Sequence, residues 1–359
     1  MQRPDNLANF DLVVIGASAG GVGSLQRVVE HIPAGFPAAI LVALHLPDGI
    51  RSMLPQILAR AGNLPASHAE NGEAFERGRI YIAPPGFHLT IQDGRMRVMR
   101  GAREHGHRPA IDPLFRSAAI AYGRRVIGVI LSGLLHDGTV GLREIKRAGG
   151  LAIVQDPRDT EWPSMPQSAL NHVNVDYSVP ATQIGTLLQQ VVMGRPRSQP
   201  AMPSNDDKMV NEELRELTRH RDERQHPGDP SPYSCPECGG VLWELKDGEL
   251  LRFRCRVGHA YTSETLTTEQ ALAVEHALWS ALRALEEQAA VRRRMAERAK
   301  RQGRTSSAVR HEARAHELDE QARQVRSLVL AGVGAAEEAA DEPPEEVETA
   351  PGEPTREEP

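Results

Sequence analysis

Along the first half of the chain, compact apolar runs alternate with longer stretches in which apolar positions recur at helical spacing. The runs at 11–15, 38–44, 78–83, 126–132 and 151–154 predict strands, and the stretches at 21–32, 51–61, 112–123 and 139–148 predict helices. Strands separated by helices pair in parallel through right-handed crossovers. Residues 11–194 therefore predict an α/β domain with a parallel sheet between two helical layers, Rossmann-like in outline. Such sheets carry their sites at the carboxyl edge of the strands. Residues 88–100 predict an antiparallel hairpin turning at Gln92-Asp93-Gly94.

The pattern changes beyond this domain. From 195 to 232 the composition shifts to Pro, Ser, Asp, Arg and Gln with little to bury, which predicts a linker carrying a helical patch at 211–222. Residues 233–262 form a compact segment that holds every cysteine. Helical spacing returns over 264–301, through Val274, Leu278, Leu282 and Leu285, and over 305–331, through Leu318, Ala322, Val325 and Val329. Gln302-Gly303-Arg304 joins the two into a helical hairpin spanning 263–332, read as a self-packed or dimerising bundle ahead of a receptor-docking helix. A short tail, 1–10, precedes the first strand, and the acidic, proline-containing stretch 333–359 predicts disorder.

Charge and composition narrow the partners. The 359 residues carry a net charge of −6, but residues 334–359 hold ten acidic residues and one Arg, and setting that −9 apart leaves +3 for the rest. No dense basic patch with interleaved aromatics is present, so nucleic acid is not an expected partner. No apolar run approaches the roughly 20 residues that cross a bilayer. The N-terminus also lacks the basic-then-apolar layout of a secretory signal, so the expectation is a cytoplasmic protein with no direct membrane insertion.

The candidate chemistry begins at Gly16-Ala17-Ser18-Ala19-Gly20, which places a serine on a glycine-flanked turn between a strand and a helix. That turn suits a nucleophile, and it also suits a dinucleotide phosphate loop. A dinucleotide loop expects an acidic residue at the end of the second strand, where this chain has His45 and Leu46. If the strands at 11–15 and 38–44 are neighbours, His45 leaves the same edge as Ser18 and is a candidate base. The alternative for His45 is a hydrogen-bonded structural histidine. Asp137, in Ser132-Gly-Leu-Leu-His-Asp-Gly138, follows another strand end and is a candidate orienting acid; its alternative role is a helix N-cap. A serine hydroxyl needs an imidazole to take its proton, and the imidazole needs a carboxylate to fix its tautomer.

Cys235-Pro-Glu-Cys238, followed after sixteen residues by Cys255-Arg-Val-Gly-His259, has the spacing of a single zinc site. Cys235, Cys238, Cys255 and His259 would close a tetrahedron, with Lys246-Asp-Gly-Glu249 turning a hairpin between two short strands. A full Cys3His set leaves no open coordination position, so the zinc is expected to be structural, in a zinc-ribbon-like module.

Five blocks carry a family resemblance: Val14-Ile-Gly-Ala-Ser-Ala-Gly-Gly21, Ala43-Leu-His-Leu-Pro47, Ile82-Ala-Pro-Pro-Gly86, His107-Arg-Pro-Ala-Ile-Asp112 and Leu131-Ser-Gly-Leu-Leu-His-Asp-Gly138. Over about residues 10–193 the chain resembles the catalytic domain of the CheB-type protein-glutamate methylesterases of bacterial chemotaxis. The resemblance implies a serine hydrolase that removes methyl esters from chemoreceptor glutamates and deamidates receptor glutamines, needing no cofactor for catalysis. It implies Ser18 as nucleophile, His45 as base, Asp137 as orienting acid and the Leu134 backbone amide in the oxyanion hole. Arg108 and Asp112 fit a substrate contact and a structural ion pair alike and stay outside the catalytic set. Family members commonly carry a receiver domain ahead of this one, whereas about ten residues precede the first strand here, so phosphorylation control in cis is not expected. The competing readings are a non-catalytic signalling scaffold that docks to receptor arrays and a nucleotide-binding enzyme.

Overall fold

The computed structural model describes residues 11–47, 52–194, 228–247 and 250–338. The chain divides into two compact units, Met1–Glu269 and Gln270–Pro359. In the first, the elements run β1 (Leu12–Ala17), α1 (Gly21–Glu30), β2 (Ala39–Leu44), α2 (Leu54–Ala61), β3 (Ala66–His68), β4 (Ile80–Ile82), a hairpin of β5 (His88–Gln92) and β6 (Arg95–Met99), α3 (Ile111–Tyr122), β7 (Val126–Ile130), α4 (Thr139–Arg147), β8 (Leu151–Gln155), α5 (Ser164–His172), β9 (Tyr177–Val179) and α6 (Ala181–Met193).

Seven of these strands form one parallel sheet in the order β3-β4-β2-β1-β7-β8-β9. β1, β2, β7 and β8 are buried along their whole length, because helices cover both faces, and this is why they read as unbroken apolar runs. Alternate residues of β1 enter two separate cores. Val13 and Ile15 join Val28, Ile184 and Leu188 under α1 and α6, while Leu12 and Val14 join Leu114, Phe115 and Leu142 under α3 and α4.

From β1 the chain crosses to β2 on one side, and it later returns to β7 on the other. The strand order therefore reverses between β1 and β7, and at such a switch point a crevice opens beyond the carboxyl ends. Registers of Ala17 with Leu44 and Gly16 with Ile130 bring the residues after β1, β2 and β7 to that edge together. Gly16 is needed there for close approach: a Cβ would stand 2.3 Å from Ile111 Cγ2, so the start of α3 packs directly on the β1 backbone.

Four antiparallel strands follow: β10 (Asp229–Ser234), β11 (Val241–Asp247), β12 (Leu250–Cys255) and β13 (Ala260–Thr262), in that order across a small sheet. Among the described residues its core cluster is Cys235, Leu242, Phe253, Cys255, Tyr261 and Leu266. β10 begins inside the stretch expected as linker. Pro230 and Pro232 mislead there, since an edge strand tolerates proline by turning its missing N–H outward. The expected patch at 211–222 lies outside the described residues.

α7 (Ser263–Arg301) leads out of this module, and Gly303, at φ +69°, turns it into α8 (Thr305–Glu338). Beyond the first turn of α7, the buried positions among the described residues are Leu282, Ala289, Ala296 and Ala299 on α7 and Ala308, Ala315, Leu318, Ala322 and Val329 on α8, a seven-residue repeat joined by the three-residue steps to Ala299 and Leu318. Val274, expected on this seam, is 59 % exposed because it stands eight residues before Leu282 and falls off the repeat. Ion pairs Arg293–Asp319 (2.6 Å), Lys300–Glu312 and Arg326–Glu286 tie the two helices antiparallel. α8 continues to Glu338, past the expected start of the disordered tail: Ala335-Ala-Glu-Glu338 favours helix despite Gly332 and Gly334 just before it. Among the described residues no helix is long and apolar enough to cross a membrane.

Candidate active site

Ser18 follows β1 on a turn completed by Gly20 at φ +69°. Its amide donates to Ser132 O at 2.9 Å, and its carbonyl accepts from Gly21 N–H at 2.9 Å as α1 begins. The Ser18 hydroxyl donates to His45 Nδ1 at 3.0 Å, and His45 Nε2–H donates to Asp137 Oδ2 at 2.7 Å. The three sequence-predicted side chains are thus brought into one relay at the crevice. Nε2, held by the carboxylate, keeps its proton, which leaves the Nδ1 lone pair facing the serine.

Asp137 is fully enclosed. Besides His45 it accepts from the first amides of α3, Ile111 N–H at 2.7 Å and Asp112 N–H at 3.0 Å. Burial alone would raise its carboxyl, but the His45 hydrogen bond, the charge of His105 and the Ile111 amide outweigh burial and hold it well below the ordinary carboxylate range. A helix N-terminus is a natural seat for such a charge. Leu135 at φ +65° and Gly138 at φ +92° shape the turn that aims Asp137.

The same turn is pressed against the serine. A Cβ on Gly133 would stand 2.8 Å from Ser18 Cβ. Ser132 N–H donates to Gln155 Oε1 and Gly133 N–H to Trp162 O, whereas the Leu134 amide has no partner among the described residues. Leu134 and Trp162 expose apolar surface at this rim.

Two histidines escaped the sequence reading. The His107 ring stacks on His45, with centroids 3.7 Å apart and planes 19° apart. Burial, reinforced by repulsion from His45, pulls His107 down to about 3, so it stays neutral beside the base. His105 Nε2–H donates to Asp112 Oδ2 at 3.0 Å, and the other Asp112 oxygen accepts Gly141 N–H at 2.7 Å. Burial opposes the charge on His105, but the Asp112 hydrogen bond and the charges of Asp137, Asp112 and Glu104 overcome it and raise the pKa. Asp112 is therefore structural. Arg108, whose Nε and Nη1 donate to the carbonyls of Gly86 and Gly101 at 2.8 Å each, braces the same loop. Both histidines stand in or beside the block 107–112, but nothing local marks a ring that stacks on a residue some sixty positions earlier.

A pH dependence follows. An unfolded His107 takes up its proton near pH 6.5 and the folded one only near 3, so stability falls as pH drops through that window, by at most about 1.4 kcal/mol per pH unit. His105, raised in the fold, is protonated in both states below 6.5 and does not offset this loss. Thermal melts between pH 7 and 5 are expected to show a steeper decline for the wild type than for His107→Gln; equal slopes would count against the assignment.

Cys235, Cys238, Cys255 and His259 also converge, with one donor atom from each within 4.8 Å of the others, so this cluster could hold a metal ion. His259 Nδ1 lies 3.5 Å from Cys235 Sγ and 3.4 Å from Cys255 Sγ, and Cys238 Sγ lies 3.6 Å from Cys255 Sγ. The remaining ring nitrogen, Nε2, donates to Glu237 Oε2 at 3.1 Å. Glu237, inside the Cys-Pro-Glu-Cys knuckle, is a further site residue that sequence reading passed over.

A sequence profile described as CheB methylesterase matches residues 13–188. A Leptospira interrogans protein named "Putative protein-glutamate methylesterase/protein-glutamine glutaminase" is 37 % identical over 180 residues, covering 50 % of this chain and 93 % of that protein. Proteins named protein-glutamate methylesterase/protein-glutamine glutaminase from Anaeromyxobacter dehalogenans and Pyrococcus abyssi are 38 % and 35 % identical, and the match covers about half of each, 55 % and 51 %. The crystal structure of the Thermotoga maritima CheB methylesterase catalytic domain is similar at 35 % identity, covering 51 % of this chain and 98 % of that one, with a TM-score of 0.49.

Proposed function

This chain belongs to the CheB methylesterase family and is a protein-glutamate methylesterase; from that premise we propose that Ser18, His45 and Asp137 carry the hydrolysis and that its substrates are methylated glutamates on chemoreceptors or a related signalling protein. The observation that carries the assignment of roles is the relay Ser18 Oγ to His45 Nδ1, His45 Nε2 to Asp137. Ser18 Oγ attacks the ester carbonyl as its proton passes to His45 Nδ1. The Leu134 amide donates to the oxyanion, and His45 Nδ1–H then protonates the departing methoxide, giving methanol and a glutamyl ester of Ser18. Water, deprotonated by His45, attacks that ester and releases the glutamate carboxylate with Ser18 restored. On a glutamine side chain the same steps release ammonia. These steps draw on Ser18, His45, Asp137 and backbone amides alone. The apolar rim of Leu134 and Trp162 suits a protein surface as substrate. A scaffold has no use for a poised serine and is not favoured.

The second half of the proposal is a structural zinc held by Cys235, Cys238, Cys255 and His259. Zn–S bonds of about 2.3 Å and Zn–N bonds of about 2.0 Å place tetrahedral donors about 3.5–3.8 Å apart, close to the separations among these atoms. The Glu237 hydrogen bond to His259 Nε2 supports Nδ1 as the ligand atom, since metal-bound histidines hold their second nitrogen in this way.

The test is methanol release from a methyl-esterified chemoreceptor cytoplasmic fragment incubated with the full chain. Release in step with loss of methyl groups is expected. A folded, metal-loaded protein that releases none would remove the chemoreceptor from the reading.

A further inference from the structure

The methylesterase match ends at residue 188, so the cysteine module lies beyond the matched residues. Within the first compact unit that module touches the loop behind the catalytic histidine. Glu104 forms a parallel bridge with Ala260, the residue after the ligand candidate His259. His105 N–H donates to Ala260 O at 2.8 Å. The His105 ring donates from Nδ1 to Thr265 Oγ1 at 3.1 Å. That hydroxyl sits at the start of α7, where it also accepts Thr262 N–H at 2.8 Å.

The fit is close on both sides of these bonds. Gly106 has φ +75°, and a Cβ there would stand 2.2 Å from Glu269 Oε1. A Cβ on Gly258 would stand 3.3 Å from Ala102. Underneath, the buried Glu104 carboxylate accepts from Arg116 Nη2 at 2.9 Å on both oxygens, and Arg254 of β12 adds its attraction to the same charge.

Two routes lead from this contact to the base. His105 holds Asp112, whose own amide donates to Asp137. Two residues along the loop, His107 lies against the His45 ring. We propose that the cysteine module is a clamp on residues 104–107, in which Thr265 and the Ala260 carbonyl act as positioning groups that hold His105 and His107 so that His45 stays aligned between Ser18 and Asp137.

The clamp rests on the esterase reading for its catalytic consequence, but its contacts do not depend on what the substrate is. Thr265→Val keeps the shape of the side chain and removes the acceptor for His105, while Thr265→Ser keeps it. In the full-length, metal-loaded protein, Thr265→Val is expected to lower kcat for methanol release about tenfold with KM within about twofold, because a small misplacement of the base acts on the chemical step. Amide hydrogen exchange over 104–107 should quicken in the same variant, with metal content unchanged, and Thr265→Ser should return both measures to wild type. Gly106→Ala, which strains the loop because a side chain rarely adopts φ +75°, should reproduce the loss from the opposite side if Thr265→Val fails to fold. Faster exchange with an unchanged kcat would overturn the proposal, as would unchanged exchange. Should the wild type release no methanol, the esterase reading falls on its own. The clamp is then judged by the rate at which p-nitrophenyl acetate acylates Ser18: a tenfold drop in Thr265→Val supports it, and an equal rate refutes it.

Discussion

Replacing Ser18 by alanine is expected to reduce kcat by on the order of 10⁶ while leaving the melting temperature near that of the wild type, because the variant loses the attacking oxygen and little packing. Asp137→Asn provides the contrast. A carboxamide cannot both accept Nε2–H from His45 and satisfy the α3 amides, so His45 would settle in the wrong tautomer and kcat should fall by about 10⁴. One buried donor at Ile111 or Asp112 would then face an NH2 group, costing about 1–3 kcal/mol. Turnover and thermal melts on both variants separate the roles: Ser18→Ala should lose only rate, and Asp137→Asn should lose rate and stability together. A Ser18→Ala protein that still hydrolyses its substrate at more than about a thousandth of the wild-type rate would place the nucleophile elsewhere.

Removing the proposed zinc is expected to unfold the cysteine module. Its small apolar cluster around Leu242, Phe253 and Tyr261 is insufficient to hold four strands by burial, and structural zinc in comparable small modules contributes about 10–16 kcal/mol of apparent folding free energy. Chelation should expose β10 to β13 to hydrogen exchange and release one zinc per chain. The seven-stranded sheet, with its two independent cores, should keep its protection. Unchanged exchange over 229–262 after complete chelation would show that the module folds on protein contacts alone.

Much of this is legible in the sequence, for a physical reason. Ser18, His45 and Asp137 each follow an unbroken apolar run, and the carboxyl edge of a parallel sheet collects whatever follows such runs. The cysteine spacing was legible because a CxxC knuckle acts locally. What stayed hidden was long-range or counter to local preference. His107 reaches His45 only after the β5–β6 hairpin and the return to α3, and Thr265 reaches His105 across 160 positions. β10 was concealed by prolines that an edge strand accepts. α5 and α6 were not anticipated at all: Pro163 and Pro166 interrupt the start of α5, and a helix end packed by tertiary contacts need not announce itself in sequence. Val274 shows the reverse error, where spacing that suits a lone amphipathic helix slips off a seam set by a seven-residue repeat.

The sheet that separates the two cores also separates two kinds of tolerance to change. Behind one face, α2 and α6 bury residues such as Leu58, Ile184 and Leu188 that hold the domain together but touch none of the relay. Behind the other, α3 fills its core with Leu114 and Phe115 and at the same time offers its first amides to Asp137, so a shift in that packing is also a shift of the carboxylate. Drift in the first layer is filtered by folding alone, whereas drift in the second is filtered by folding and turnover at once. A lineage of such enzymes could therefore remodel one flank of the domain freely while its catalytic flank stayed nearly fixed.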